Sequence, residues 1–384
     1  AGLLTTGSAL AGATIKVDDT KWLSVGAGIR SSFNAVENNA GSTSDRWSNS
    51  FALDNVRLYV NGQVHENIKF EFNTEVGGVG GTDGGPADIF VLDAIAKFEF
   101  SDLINIWAGR LLVPSDRAEL DGPFYQNTYE FNRTPFFPND QFNSSAGRYG
   151  RDDGAVLWGA LTADKRLTYS VGVFDGAYTT VNQDDNLLYA GRVSYNFLNV
   201  EQNPGYYTSS TYYGNAGDIL TVAFAAQYQA DGVGTGTGSD AADFLGYSVD
   251  VLSETVLASG AVVTAEGQWK HFDISGGTIG TNTNLGNIFE GDAFTGTLLY
   301  LMPGEMGIGR VQPYVRYTNN NSKNANVNDM AEWEGGLNYI IDGHNAKISA
   351  WYQYGDINTG GRNYLTSTSG NDVSAVKMAV QLQF

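Results

Sequence analysis

Few residues in this chain carry the chemistry of catalysis, and none falls into a catalytic spacing. The three histidines are His65, His271 and His344. None belongs to an HExxH arrangement, and no GxSxG sets a serine on a tight turn. Neighbouring carboxylates occur at Asp152/Asp153 and Glu332/Glu334. Such pairs suit acid–base work or calcium, but solvated charges on a strand or loop give the same spacing. The glycine run 77–85 lacks the Lys-Ser/Thr that completes a phosphate loop. No cofactor and no metal centre is expected. A hydrolase would need a serine and a histidine brought together by folding rather than by sequence.

The densest polar chemistry lies in 114–151, PSDRAELDGPFYQNTYEFNRTPFFPNDQFNSSAGRYGR. This stretch holds Arg117, Arg133, Arg148 and Arg151 beside Asp116, Glu119, Asp121, Glu130 and Asp140, with Pro114, Pro123, Pro135 and Pro138. A connection so long and so rich in aromatics is a folded, functional loop rather than a disordered one. Guanidinium and carboxylate groups held over a narrow passage act on a solute at short range and low effective dielectric. Together with Arg110 just upstream, Asp116, Arg117, Glu119, Asp121, Glu130, Arg133, Arg148 and Arg151 are the candidate constriction. The alternative is an outward loop packed on a neighbouring subunit.

What must position such a loop is legible in the parity of the flanking segments. In one, Ile68, Phe70, Phe72 and Val76 alternate with Lys69, Glu71, Asn73 and Glu75. In another, Leu92, Ala94, Ala96, Phe98 and Phe100 oppose Asp93, Lys97 and Glu99. A period of two gives a strand one apolar and one polar face. Sixteen such segments recur: 21–35, 50–63, 67–77, 88–101, 104–113, 152–162, 166–176, 187–198, 218–230, 243–252, 257–272, 292–302, 309–319, 330–341, 345–355 and 373–384. A soluble β-sandwich alternates in the same way, but its strands usually run about five or six residues. These run about 10–15, the length that crosses a bilayer as a tilted strand. Their apolar faces carry Tyr169, Tyr195, Trp269, Trp333, Tyr339, Tyr352 and Tyr354 near the ends, the pattern of interfacial aromatic girdles.

Composition agrees. The 384 residues include 48 Gly and only 8 Pro, 12% are aromatic and 17% charged. A mean hydropathy of −0.22 is too polar for a helical membrane protein. No apolar run approaches the roughly 18 residues of a spanning helix. The net charge of −20 excludes a nucleic-acid partner, whose phosphates it repels. There is no cysteine. The expected fold is therefore all-β, a transmembrane antiparallel barrel of about 16 strands, with its long third external loop folded into the lumen. Residues 1–20 form a periplasmic N-terminal segment, of which the small, apolar Ala1–Gly12 reads as a mature start or processing remnant, and 21–384 a single barrel domain.

Short turns at His65–Glu66, Asp164–Lys165 and Asp342–Gly343–His344 alternate with long polar loops, so both termini fall on the periplasmic side. The stretch 199–217 breaks this rule by being long on the short side. On the polar parity the wall carries Arg57, Lys69, Lys97, Arg110, Arg192, Lys270, Arg316, Lys347 and Lys377, against Glu71, Glu75, Asp93, Glu99, Glu266, Glu332 and Glu334. That slight basic excess implies a weak anion preference, and it leaves the acidity in loops able to bridge to lipopolysaccharide through divalent cations. The last segment sets Val376, Met378, Val380, Leu382 and Phe384 on one face. It resembles the terminal strand by which outer-membrane proteins reach their insertion machinery.

RLYVNGQVHENIKFEFNTEVG (57–77), LDAIAKFEFSDLINIWAGRLLVP (92–114), VGVFDGA (171–177), VQPYVRYT (311–318) and GGLNYIIDGHNAKISAWYQY (335–354) stand in an order that resembles the phosphate-selective porins O and P. The resemblance implies a sixteen-stranded trimeric pore in the bacterial outer membrane, with the loop after the fifth strand turned inward. It also implies basic wall positions at Arg57, Arg110, Arg192 and Arg316. This chain departs from the phosphate-specific pattern in having no dense lysine and arginine ladder. The expected role is passive diffusion of small hydrophilic solutes or ions. A structural barrel that scaffolds the envelope through its acidic loops is the alternative.

Overall fold

Strands that present one apolar and one polar face must hide one of them, and here the hidden face is the polar one. The computed structural model describes residues 12–43, 45–77, 88–131, 134–137, 150–177, 182, 184–233, 241–275, 289–323, 329–356 and 372–384. A short strand, β1 (Ala13–Lys16), precedes β2 (Trp22–Ala40), β3 (Arg46–His65), β4 (Ile68–Gly77), β5 (Asp88–Glu99) and β6 (Asn105–Leu112). After a one-turn helix, α1 (Arg117–Asp121), come β7 (Arg151–Ala160), β8 (Leu167–Phe174), β9 (Leu188–Asn196), β10 (Ile219–Val233) and β11 (Ala242–Val256). The chain continues through β12 (Val262–Ser275), β13 (Gly291–Leu301), β14 (Arg310–Ser322), β15 (Met330–Asp342), β16 (Ala346–Gly355) and β17 (Val373–Gln383).

From β2 to β17 each strand pairs antiparallel with the next. The ring then closes between β17 and β2, from Ala375 opposite Val36 to Gln383 opposite Gly28. Closure leaves these sixteen strands no free edge, so their backbone donors and acceptors are met within the sheet. The β1 strand pairs with β2 just beyond that seam, Ala13 opposite Val25.

Burial separates barrel from sandwich. On β17 the polar Lys377 and Gln381 are 1% and 0% exposed, whereas Met378 and Phe384 are 54% and 64% exposed. The same inversion recurs around the ring, with Arg316, Lys270 and Lys347 buried while Leu298, Leu337 and Tyr352 are exposed. A soluble protein of this size does not expose its apolar faces and bury its charges.

The structure departs from the sequence reading at strand ends. β2 and β3 reach Ala40 and Arg46, so most of the polar stretch 36–49 is hairpin rather than loop. Polar residues there made the alternation invisible. The turn expected at 253–256 lies instead at 257–261, because inward Glu254 pairs opposite Thr264 and Val256 opposite Val262. Residues 13–16 add a strand that four exposed residues gave no pattern to announce.

Candidate functional site

Two connections bond to side chains of the ring: the one between β6 and β7, and the unusual short-side excursion between β9 and β10. In the first, Asp116 caps α1 by accepting from the backbone N–H of Glu119 at 3.2 Å. All five helix residues are buried. Burial at such a density demands partners for every charge, and the wall supplies them. Lys270 of β12 meets Asp116 at 2.7 Å and Glu119 at 3.3 Å, and donates to the Pro135 carbonyl at 2.8 Å. Arg117 grips Glu201 through two hydrogen bonds of 2.7 and 2.8 Å and lies 3.5 Å from Asp250 of β11.

Further along, Asn127 donates to Glu266 at 2.6 Å and Arg316 of β14 reaches Thr128 at 2.8 Å. Glu130 is bound by Lys377 of β17 and by Gln353 of β16 at 2.8 Å. Backbone carbonyls are held as well: Lys347 donates to that of Gln126 at 2.9 Å, Gln381 to that of Phe124 at 2.8 Å. On β2, Arg30 donates to the Tyr129 carbonyl and stacks its guanidinium 4.0 Å from that ring. The strands in contact thus lie all around the ring, from β2 through β9, β11 and β12 to β17. Gly28 matters here, since a Cβ would meet the Phe124 ring at 2.8 Å.

Of the residues expected to face one another across a constriction, Asp116, Arg117, Glu119, Asp121, Glu130 and Arg151 are engaged by the wall or by the second connection. Asp121 accepts from Thr208 at 2.6 Å and from Ser210. Burial, with the charge of Glu266 next, pushes its carboxyl well above the usual range. Arg151 holds Asp93 with bonds of 2.6 and 3.0 Å. Arg133 and Arg148 lie outside the described residues. Among the wall residues, Arg57 pairs with Glu75 at 2.8 Å, Lys69 with Glu99 at 2.5 Å, and Lys97 with Glu71. Arg192 pairs with Asp250 at 2.5 Å and Arg316 with Glu334 at 2.7 Å.

Arg110 does not join them. It stands opposite Ala94 and Asp153 in register, on the face that carries exposed Ile106 and Leu157. There it makes a 3.2 Å pair with Asp153. Simple counting explains this: Asn105 and Trp107 point inward, so Arg110 points out. In its place the inner face has Arg30, and it gains Asp250 and Glu254. Sequence reasoning missed these two because inward Phe244 and Leu252 share their parity and blur the polar face. Arg30 was detectable, as the position two before Ser32 on the polar side of β2.

The second connection, 197–218, lies against the first. Beyond the Arg117–Glu201 pair, Arg117 donates to the Ser209 carbonyl at 2.7 Å, and Ser210 N–H to the Tyr125 carbonyl at 3.1 Å. Its Tyr206 and Tyr207 pack tilted and edge-on, respectively, against Trp107, at 5.4 and 5.3 Å between ring centres. Burial opposes the charge of Glu201, but the Arg117 guanidinium outweighs it and holds the carboxyl at about 2.

A serine and a histidine do meet here: Ser209 Oγ lies 3.1 Å from His344 Nε2. His344 Nε2 also lies 2.9 Å from the Thr211 carbonyl, and the Ser209 hydroxyl donates to that same carbonyl at 3.0 Å. Burial, then Lys347, hold the imidazole neutral, its pKa pushed down to about 3.

A family model described as phosphate-selective porin O and P matches residues 23–384. No curated protein matches by sequence. Among solved structures, OmpF of Salmonella typhi in complex with daunomycin superposes with a TM-score of 0.60 at 11% identity, covering 97% of this chain and 100% of that one. The anion-selective porin from Comamonas acidovorans gives 0.58 at 14% identity, over 95% and 100% of the two chains. OmpT of Vibrio cholerae, in vitro folded and in trimer form, gives 0.53 at 12% identity, over 95% and 100%. At these identities the solved structures share the fold.

Proposed function

The chain belongs to the phosphate-selective porin O and P family, and on that premise we propose that its route for small hydrophilic solutes is narrowed by the 114–151 connection lying within the ring. The protein is an outer-membrane channel for passive diffusion. Family and fold are those of a channel rather than a catalyst. The observation that carries the reading is the inversion of burial: charged and amide side chains inside a closed ring, apolar ones outside. Water and polar solute have a lined interior, and lipid has an apolar exterior.

The narrowing is supported by the distribution of contacts. A segment bonded to β2, β9, β12, β14 and β17 has partners on opposite sides of one ring, which an outward loop cannot reach. Asp116, Arg117, Glu119, Glu130 and Arg151 then act chiefly by fixing the segment, since their charges are matched locally, and Asp121 does so through the Thr208 and Ser210 hydroxyls. Such matched charge predicts weak ion selectivity. With Arg30 in place of Arg110 and Asp250 and Glu254 added, the wall carries nine bases against nine acids, so the lean toward anions rests on the likeness to the porin from Comamonas acidovorans described as anion-selective. A homotrimer is the assembly proposed, in line with the trimer form of the Vibrio cholerae neighbour. Lipid and lipopolysaccharide contact the exposed apolar belt and the loops.

Reversal potentials in planar bilayers under a tenfold salt gradient test this. A small potential of the sign for anions agrees with it. A near-ideal cation potential contradicts the matched-charge interior.

A further inference from the structure

The short-turn end of the barrel is closed on one flank and hollow on the other, and the excursion between β9 and β10 makes the difference. It leaves β9, is held by Thr211 donating to Glu254 of nearby β11 at 2.7 Å, and crosses toward the opposite wall. Tyr213 packs with Val262, Leu301 and Ile340. His344, in the turn between β15 and β16, receives the crossing at Ser209 and Thr211. On that far flank the inward Gln312, Asn338, Ser349 and Gln381 are 0–1% exposed. Water does not reach these side chains.

On the near flank lies a cavity of about 760 Å³, whose lining includes Asn105, Trp158, Ser194, Asn203 and Tyr207. Its rim reaches Asp102 and Lys165, with side chains 70% and 53% exposed in the β5–β6 and β7–β8 turns, so it opens to the short-turn side. That volume falls in the range of small-molecule sites. The surface is chiefly hydroxyl, amide and aromatic. Its inner charges, Arg117 and Arg192, are already matched by Glu201 and Asp250.

We infer that solute passes the short-turn end through this off-axis vestibule, between the β6–β9 wall and the crossing segment, rather than along the barrel axis. The inference rests on the pore reading above and says where that pore exits. Selection in the vestibule is by size and hydrogen bonding. Small polyhydroxylated solutes are the chemical class best met by hydroxyls and amides beside aromatic rings.

The absence of cysteine makes the route testable by single thiols. Ser194→Cys and Asn203→Cys channels are recorded in planar bilayers before and after a water-soluble methanethiosulfonate is added, each against its own unmodified current. Current should then fall by at least about half, because a pendant group in a narrow passage obstructs it. Ser349→Cys, on the far flank, should be unaffected. The two near-flank variants guard against one of them misfolding. Block at position 349, or no block at 194 and 203 in conducting channels, overturns the route. A wild-type protein that passes no current at all overturns the pore reading instead.

Discussion

Arg117 shows what a buried charge requires. Its side chain is 0% exposed, and Glu201 and Asp250 share its charge. Asp250 is also the carboxylate partner of Arg192, so Asp250→Ala strands the buried Arg192 guanidinium and leaves Arg117 with Glu201 alone. We expect a loss of about 3–5 kcal/mol, the cost of breaking a buried ionic group, measured as urea-unfolding midpoints in detergent. Glu201 gives a pH signature. Its folded pKa of about 2 lies below the ordinary 4.5, so its contribution is complete above pH 4.5 and is lost as pH falls toward 2. By linkage the amount is on the order of 3 kcal/mol. Glu201→Gln should lack this component, seen as a smaller drop in thermal stability between pH 6 and pH 3. Arg110 is the opposite case. The Arg110–Asp153 pair lies on the outer face of the ring, beside exposed Ile106 and Leu157. Arg110→Ala should leave conductance unchanged, because the side chain points away from the bore. The candidate residues were findable in sequence because charge clusters in one long connection. Their partners were not, since Glu201 and Asp250 meet Arg117 only after about a hundred residues of intervening chain are folded.

At the scale of elements, the alternation located all sixteen barrel strands and the order of long and short connections. It failed where the physical contrast fails. The polar tops of β2 and β3 extend beyond any apolar face, and inward Phe244 and Leu252 on β11 pack against neighbours rather than water. Phe244 stacks with Phe137 and Phe272, at 6.4 and 5.8 Å between ring centres. Backbone demands were also hidden. Gly109 has φ of +127°, and a Cβ there would sit 2.1 Å from the Ala94 carbonyl oxygen. Gly109→Ala must push β5 and β6 apart, whereas Gly267→Ala meets nothing within 4 Å at an ordinary backbone angle. Refolding yield, read by the heat-sensitive mobility shift of folded barrels on gels, should fall sharply for the first and stay at the wild-type level for the second. Equal yields would mean that the strained glycine is not needed for strand pairing.

For the whole molecule, a ring of tilted strands could enclose an open bore, and two connections reduce it. Net charge on the interior is held near balance by pairing, while the −20 of the chain resides mostly elsewhere. The sequence made the ring and its upper connection legible. The lower crossing was visible only as an irregular long stretch on the short side, because its anchoring contacts to Glu254 and His344 are remote in sequence. Single-channel recording in planar bilayers tests the central claim most directly, comparing wild type with a variant in which 118–130 is replaced by a short Gly-Ser link. Wild type should open in discrete ohmic steps, and the variant in clearly larger ones. A correctly folded wild type that stays electrically silent, or a variant whose steps match those of wild type, contradicts the account.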